Sequence, residues 1–119
     1  MAKETFIECS FLIPIRRDAN LSDGKPHSRK LWVWLNRELE IRFEGWTVAP
    51  GRYEGFYRDP DTQERVSDES VKYIVAVRES SVRELRTLLS AACVLFQQKC
   101  IYLSVAGKVE FIEAAKDGA

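Results

Sequence analysis

The order of two hydrophobic patterns along the chain constrains its fold more than any other feature of the sequence. Segments where apolar and polar residues alternate predict strands, and segments where apolar residues recur every three or four positions predict helices. In chain order the patterns predict strand, helix, strand, strand, helix, strand. Two helices on one face of an antiparallel four-stranded sheet form the ferredoxin-like arrangement. We therefore expect a βαββαβ fold of the α+β class.

The boundaries of these elements follow from the same patterns. The first strand is predicted over residues 5–15, and the helices over about 29–43 and 82–99. The second strand, interrupted near Pro50 and Gly51, pairs with the third through a turn at Asp59 and Pro60. After the fourth strand, the pattern beyond Gly107 permits a short fifth strand without requiring it. The pattern predicts one domain over 1–119, with a loose tail at 114–119.

Composition and charge narrow the class of protein. The 119 residues are 45% hydrophobic and 30% charged, which is typical of a soluble globular domain. Eighteen basic residues balance eighteen acidic ones, so the electrostatic footprint of a nucleic-acid-binding protein is missing. No apolar run is long enough to span a membrane, and no secretion signal is recognisable. We expect a cytoplasmic protein that binds neither nucleic acid nor membrane.

The predicted sheet has one face that the helices leave uncovered. Apolar side chains fall on that face and on the outer side of the first helix, and such patches often mark interfaces. The residues predicted to form an interface are Phe6, Leu12, Trp34, Ile41, Ile74 and Tyr102. This pattern favours a homodimer, although the loop 16–28 can instead fold over one of these surfaces.

Few residues carry the chemistry of a recognisable active site. With His27 as the sole histidine, sites that need several histidines are excluded within one chain. The three cysteines, Cys9, Cys93 and Cys100, lack metal-binding spacing and are expected to be structural thiols. No phosphate-binding or nucleophile motif occurs. We expect no metal site and no cofactor.

The hairpin around "YEGFYRDP" (residues 53–60) holds the strongest candidates for a site. Glu54, Asp68 and Glu69 lie on its two strands, where cross-strand ion pairs with arginines are one interpretation. The other interpretation is a ligand pocket, with Glu54, Glu69 and His27 as weak catalytic candidates. The candidate ligand-binding residues are Trp46, Tyr53, Tyr57 and Tyr73.

The aromatic residues of this hairpin also raise the question of RNA binding. RNA-binding sheets of this topology carry stacking aromatics on their two central strands, within a basic surface. Tyr53 and Tyr57 lie on the second strand, at the edge of the predicted sheet. We therefore interpret them as packing or pocket residues, with Gly55 leaving room between them.

Three motifs resemble those of a group of small bacterial α+β proteins for which no activity is established. The motifs are "GWT" at Gly45, a G-x-Y-x-D strand at Gly55 and a D-E-S-x-x-Y strand at Asp68, within a similarity from Leu31 to Ile112. The resemblance implies a shared role, structural or functional, for Trp46, Gly55, Tyr57, Asp59, Glu69 and Tyr73.

Two main hypotheses of function follow. The first is a self-associating, non-enzymatic domain with a small-ligand pocket at the hairpin or at a subunit boundary. The alternative is a small dimeric α+β barrel-type enzyme. In it, Glu54 or Glu69 and His27 transfer protons, and Tyr57 or Tyr73 positions the substrate. An accessory factor that uses the uncovered face to bind another protein is a third option.

Overall fold

The described part of the chain, residues 4–115 of a computed structural model, forms a six-stranded antiparallel sheet and two α-helices. The strands are β1 (Phe6–Pro14), β2 (Gly45–Val48), β3 (Tyr53–Arg58), β4 (Arg65–Arg78), β5 (Ile101–Val105) and β6 (Lys108–Ile112). The helices are α1 (Arg29–Arg42) and α2 (Val82–Leu95), and a 3-10 turn at Glu79–Ser81 precedes α2.

The sheet is built around β4, the longest strand. One edge of β4 pairs with β1, from Pro14 opposite Ser70 to Phe6 opposite Arg78. The other edge pairs with β2 along one half of β4 and with β3 along the other half. The overall order is β2–β4–β1–β5–β6. Because β1 ends opposite Ser70, the tip of the β3–β4 hairpin extends past the rest of the sheet.

Both helices pack on the same face of the sheet, which we call the inner face. Alternation along β1 and β4 points side chains such as Phe11 and Val75 to this face, where they meet Leu35 of α1 and Leu89 of α2. All four of these side chains are fully buried. The opposite, outer face has no helix over it among the described residues.

The structure confirms the α+β class and the two helices, but the sheet has six strands where four were expected, with a short fifth strand permitted. The predicted second strand is divided into β2 and β3, because Gly51 at φ 81° bends the chain between them. The segment after Gly107, at φ 83°, turns back to form β6, a full partner of β5.

The end of α2 also differs from the prediction. The helix ends at Leu95 rather than at 99, because Gln97 takes a left-handed conformation at φ 49°. No helix within residues 4–115 has the length and apolar character needed to cross a bilayer. The tail predicted at 114–119 lies, from residue 116 onward, outside the described residues.

Candidate functional site

A cleft of about 650 Å³ lies on the outer face, where the β3–β4 hairpin meets β1, β5 and β6. We call it the tyrosine cleft. Its apolar walls come from Leu12, Pro14, Tyr53, Tyr57, Tyr102 and Phe111. Polar groups at the cleft come from Glu54, Arg58, Asp68, Ser70, Gln98, Cys100 and Glu113. Its size falls within the range typical of small-molecule sites.

Strand alternation creates an open space at the centre of this cleft. In the hairpin register Gly55 lies opposite Asp68, and Tyr53 and Tyr57 flank Gly55 two residues away on the same face. A Cβ placed on Gly55 would have Asp68 Oδ1, at 3.9 Å, as its one neighbour within 4 Å among the described residues. We call this space, bordered by two tyrosines and one carboxylate, the Gly55 gap.

Asp68 is the carboxylate that the Gly55 gap exposes to the cleft. Its side chain accepts no hydrogen bond from residues 4–115. Burial raises the pKa of its carboxyl group, and the negative charge of Asp18 raises it further. A partly desolvated carboxylate without a partner gains stability when a cation binds beside it.

Tyr57 is held in place by the loop that follows β1. Its hydroxyl donates a hydrogen bond to Asp18 Oδ2, while Asp18 Oδ1 accepts from the Asn20 backbone at 2.8 Å. Burial and this bond to a carboxylate raise the pKa of the Tyr57 phenol. Tyr57 therefore stays protonated at neutral pH and contributes a fixed ring rather than a base.

The turn at the hairpin tip extends this network. Asn20 Nδ2 donates to Asp59 Oδ2 at 2.9 Å, and Lys99 Nζ lies 3.0 Å from the same oxygen. The Asn20 bond, the backbone of Thr62 and the charge of Lys99 hold the pKa of Asp59 well below its usual range. The network fixes the hairpin tip against the loop and against the start of β5.

A second cleft, of about 570 Å³, lies between the same hairpin and the loop after β1. We call it the loop cleft. Arg16, Arg65 and Glu69 are among its lining residues, together with Tyr57 and Asp68. Arg52 pairs with Glu69 at 3.3 Å, so this carboxylate already has a cation.

The comparisons with known proteins identify the fold. No family model matches the chain, and no curated protein matches it either. A solved phage SAM lyase in complex with S-methyl-5'-thioadenosine is similar, with a TM-score of 0.69 and 13% identity over 96% of this chain and 94% of that chain. A phage SAM lyase in the apo state gives a TM-score of 0.62 and 13% identity, over 98% and 97% of the two chains.

This likeness corrects the first hypothesis of function. The solved structures that share the fold are those of an enzyme, so the prediction of a non-enzymatic domain is wrong. The alternative, a small enzyme, agrees better with the comparison. The resemblance to a group of small bacterial proteins gains no support from the family comparison and stays a prediction.

The carboxylates predicted as catalytic lie at the hairpin but on its other side. Glu54 and Glu69 are opposite each other in the register, one position from Gly55 and Asp68, so their side chains alternate away from the Gly55 gap. Glu54 borders both clefts, whereas Glu69 lines the loop cleft alone. The sequence pattern places Asp68 on this hairpin but favours Glu54 and Glu69 as the catalytic candidates, and of the three it is Asp68 that shares a face with the tyrosines.

Trp46 and Tyr73 are core residues rather than pocket walls. Tyr73 is almost fully buried on the inner face, stacked on Phe11, and its hydroxyl donates to Asn36 Oδ1 at 2.7 Å. Trp46 packs against Tyr73 with ring centroids 6.0 Å apart. Both side chains lie on the face opposite the tyrosine cleft. Trp46 is paired with Val75, and Tyr73 is two residues from Val75 on β4, so both point to the inner face as Val75 does.

The prediction for His27 is corrected in the same way. His27 is a buried residue and not an exposed general base in a loop. The residue is 8% exposed, and its ring packs edge-on against Trp32 and Phe96. Its Nε2 lies 2.8 Å from the carbonyl oxygen of Pro14, while Nδ1 is buried without a partner among the described residues. The packing thus fixes the loop after β1 to the core.

The burial of His27 predicts a pH-dependent stability. Burial lowers the pKa of the imidazole and outweighs the Pro14 hydrogen bond. The unfolded chain therefore binds a proton more readily, and the free energy of unfolding falls as pH drops below about 6.5. We expect thermal unfolding between about pH 8 and 5.5 to show this loss relative to a His27→Phe variant, which does not titrate there. Parallel curves for the two proteins would contradict the assignment.

The predicted interface residues are spread over several surfaces. Phe6 is 46% exposed at the edge of the outer face, and Ile41 is 68% exposed on α1. Trp34 packs partly against the core instead of facing outward. Leu12 and Tyr102 line the tyrosine cleft, and Ile74 is half-buried on the outer face. Their role in an interface stays a prediction.

The remaining site residues carry no local signal in the sequence. Cys100, the residue before β5, lines the tyrosine cleft, and Asp18, in the loop after β1, lines the loop cleft and accepts a hydrogen bond from Tyr57. Both are far from the hairpin along the chain. Burial raises the pKa of the Cys100 thiol, so it is a weak nucleophile at neutral pH. Within residues 4–115, no group of histidine, cysteine and carboxylate side chains is placed to hold a metal ion.

Proposed function

We propose that this protein is a lyase that binds S-adenosylmethionine (SAM) in the tyrosine cleft. It breaks a carbon–sulfur bond of the sulfonium centre and releases S-methyl-5'-thioadenosine. The observation that carries the proposal is the Gly55 gap, in which two tyrosines and an unpartnered carboxylate surround space for a cation. The similarity to a phage SAM lyase whose structure holds this thioadenosine supports it.

The walls of the cleft suit an adenosyl group. Aromatic side chains such as Tyr102 and Phe111, whose ring centroids are 6.0 Å apart, offer flat apolar surface for adenine. Stacking of a base on an aromatic ring contributes about 1–3 kcal/mol. The apolar walls also exclude water, which strengthens the electrostatic interactions of the substrate within the cleft.

The amino-acid end of the substrate carries both charges, and the outer face offers groups for each. The Lys72 ammonium lies 5.5 Å from the centre of the Tyr53 ring, at the hairpin side of the face, where it can attract a carboxylate. Glu54 and Glu113 border the cleft and can attract the ammonium group. This assignment gives Glu54 a binding role rather than the catalytic role expected from the sequence.

The reaction requires little general acid–base catalysis by the protein. When the bond breaks, sulfur keeps the electron pair and leaves as a neutral thioether, so no general acid is needed. The substrate's own carboxylate oxygen forms the new bond to the carbon that sulfur leaves, which closes a lactone as the second product and needs no general base. The protein's contribution is then mainly to bind the substrate, to hold its reacting atoms in place and to exclude water.

Incubation of the purified protein with SAM tests the proposal. We expect reversed-phase chromatography to show S-methyl-5'-thioadenosine accumulating faster than by the spontaneous breakdown of SAM in a protein-free control. Accumulation at the control rate would contradict the proposal. So would S-adenosylhomocysteine as the main product, because it would indicate methyl transfer instead.

We infer further that the sheet is a variant of the ferredoxin-like arrangement. In this interpretation β2 and β3 together are one interrupted edge strand, and β6 is an addition at the opposite edge. The order β2–β4–β1–β5 supports it. A cytoplasmic location and a homodimer stay predictions from the sequence.

A further inference from the structure

We propose that the Gly55 gap is a cation-selective subsite, through which Asp68 makes the cleft prefer positively charged adenosyl ligands over neutral thioethers. The inference rests on the proposed function and adds the basis of its specificity. Substrate and product differ in charge at one atom, since the sulfur of SAM is a cation and the sulfur of the thioadenosine product is neutral. Discrimination between them must come from groups that respond to that charge.

The geometry of the hairpin places three such groups around one space. Asp68 contributes a negative charge opposite Gly55, and the rings of Tyr53 and Tyr57 lie on either side along the same face. Aromatic rings attract cations, by about 0.5–1 kcal/mol at exposed sites and more when water is excluded. Lys72 already uses Tyr53 in this way, with its ammonium 5.5 Å from the ring centroid.

Two other carboxylates near the gap, Asp18 and Asp59, have partners that limit their attraction for a ligand. Asp18 accepts hydrogen bonds from Tyr57 and from the Asn20 backbone, and Asp59 is paired with Lys99. Asp68 differs because it accepts no side-chain hydrogen bond from the described residues, and because burial raises its pKa. Glu54 and Glu113 also border the cleft without a side-chain partner within residues 4–115, but Asp68 is the carboxylate that lies opposite Gly55 and borders the gap.

Loss of the positive charge then assists product release. While the ligand is a sulfonium, it interacts with Asp68 and with both tyrosine rings. Once the carbon–sulfur bond breaks, the neutral thioether keeps the stacking of its adenine but loses the ion pair. The product is held less tightly than the substrate, and the cleft is cleared for the next turnover.

Two adenosyl analogues that differ in this charge test the inference by isothermal titration calorimetry. Sinefungin carries an ammonium group near the position of the sulfonium, and S-adenosylhomocysteine carries a neutral sulfur there. We expect the wild-type protein to bind sinefungin about 10- to 100-fold more tightly than S-adenosylhomocysteine. We expect Asp68→Asn to reduce that ratio by about tenfold or more, with S-adenosylhomocysteine affinity little changed.

A matched variant controls for the general loss of one negative charge. Glu8 is an exposed carboxylate on the same outer face, on β1, outside the residues that line the cleft. Glu8→Gln should leave the preference for sinefungin unchanged. A similar loss of preference in Glu8→Gln and Asp68→Asn would overturn the assignment to Asp68.

A pH series on the wild-type protein gives a second measurement that needs no variant. Protonation of Asp68 removes its charge, so the preference for sinefungin should decline as pH falls towards the raised pKa of this carboxyl. The other titratable or charged groups that border the gap or the cleft are Asp18, Tyr53, Glu54, Tyr57, Arg58, Lys72, Cys100, Tyr102 and Glu113. The difference between wild type and Asp68→Asn across the series isolates the contribution of Asp68.

The outcomes separate this inference from the proposed function. Equal binding of both analogues by the wild-type protein would overturn the cation-selective subsite while leaving SAM cleavage in place. Failure of the wild-type protein to bind either analogue would contradict the proposed function itself. An unchanged ratio of the two affinities in Asp68→Asn would overturn the assignment to Asp68, because another group would then distinguish the charged ligand from the neutral one.

Discussion

Replacement of Gly55 by leucine is expected to reduce the rate of SAM cleavage at least ~100-fold while the protein stays folded. A Cβ at this position meets Asp68 Oδ1 at an ordinary contact distance of 3.9 Å, so the backbone accepts a side chain. The branched end of leucine then fills the gap between Tyr53 and Tyr57 and displaces the reacting part of the substrate. The measurement is the initial rate of S-methyl-5'-thioadenosine formation, with circular dichroism to monitor folding.

Gly45 offers a matched control for this substitution. Like Gly55, it lies on a strand paired with β4, at a position that faces the outer side of the sheet. A Cβ placed on it would have no neighbour within 4 Å among the described residues. It is not among the residues that line the tyrosine cleft. Gly45→Leu is expected to retain the wild-type rate within about twofold, because surface substitutions away from a binding site have little effect on the protein. Equal activity in Gly55→Leu and Gly45→Leu would contradict the location of the site.

Replacement of Phe11 by alanine is expected to lower the free energy of unfolding by about 3–5 kcal/mol. Phe11 is fully buried on β1, and its ring stacks on Tyr73 with centroids 5.1 Å apart and an interplanar angle of 7°. The substitution removes apolar contact from the middle of the sheet and leaves a cavity that the neighbouring strands cannot close. Denaturant-induced unfolding, analysed by linear extrapolation, measures the effect.

Phe6 on the same strand provides the comparison for Phe11. It is 46% exposed, and its ring centroid lies 5.0 Å from the Arg78 guanidinium carbon. Phe6→Ala is expected to cost no more than about 1 kcal/mol, since it creates no cavity. If both substitutions lower the free energy of unfolding equally, β1 is not the central strand of the core that the alternation of its side chains indicates.

Much of the fold follows from patterns that the sequence carries locally. The alternation along β1 identifies Cys9, Phe11 and Ile13 as inward-facing, and these residues are fully buried. The strand count is harder to predict, because Pro50 and Gly51 mark an interruption but do not show that both halves pair with β4. The partnership of β6 with β5 likewise depends on the positive φ of Gly107, a choice that the sequence permits without requiring it.

The site is less predictable than the fold, because it depends on which face each residue shares. The hairpin pattern identifies Tyr53 and Tyr57, and the structure places both along the tyrosine cleft. Choosing Asp68 over Glu54 and Glu69 requires the register that sets Gly55 opposite Asp68. The placement of His27 in the core depends on packing against Phe96, which is far away along the chain.

A crystal structure of the protein with S-methyl-5'-thioadenosine tests the central claim most directly. The account predicts the ligand on the outer face, with its adenine against the aromatic walls and its sulfur at the Gly55 gap, between Tyr53 and Tyr57. Density for the ligand in the loop cleft beside Glu69, or anywhere else on the protein, would contradict it.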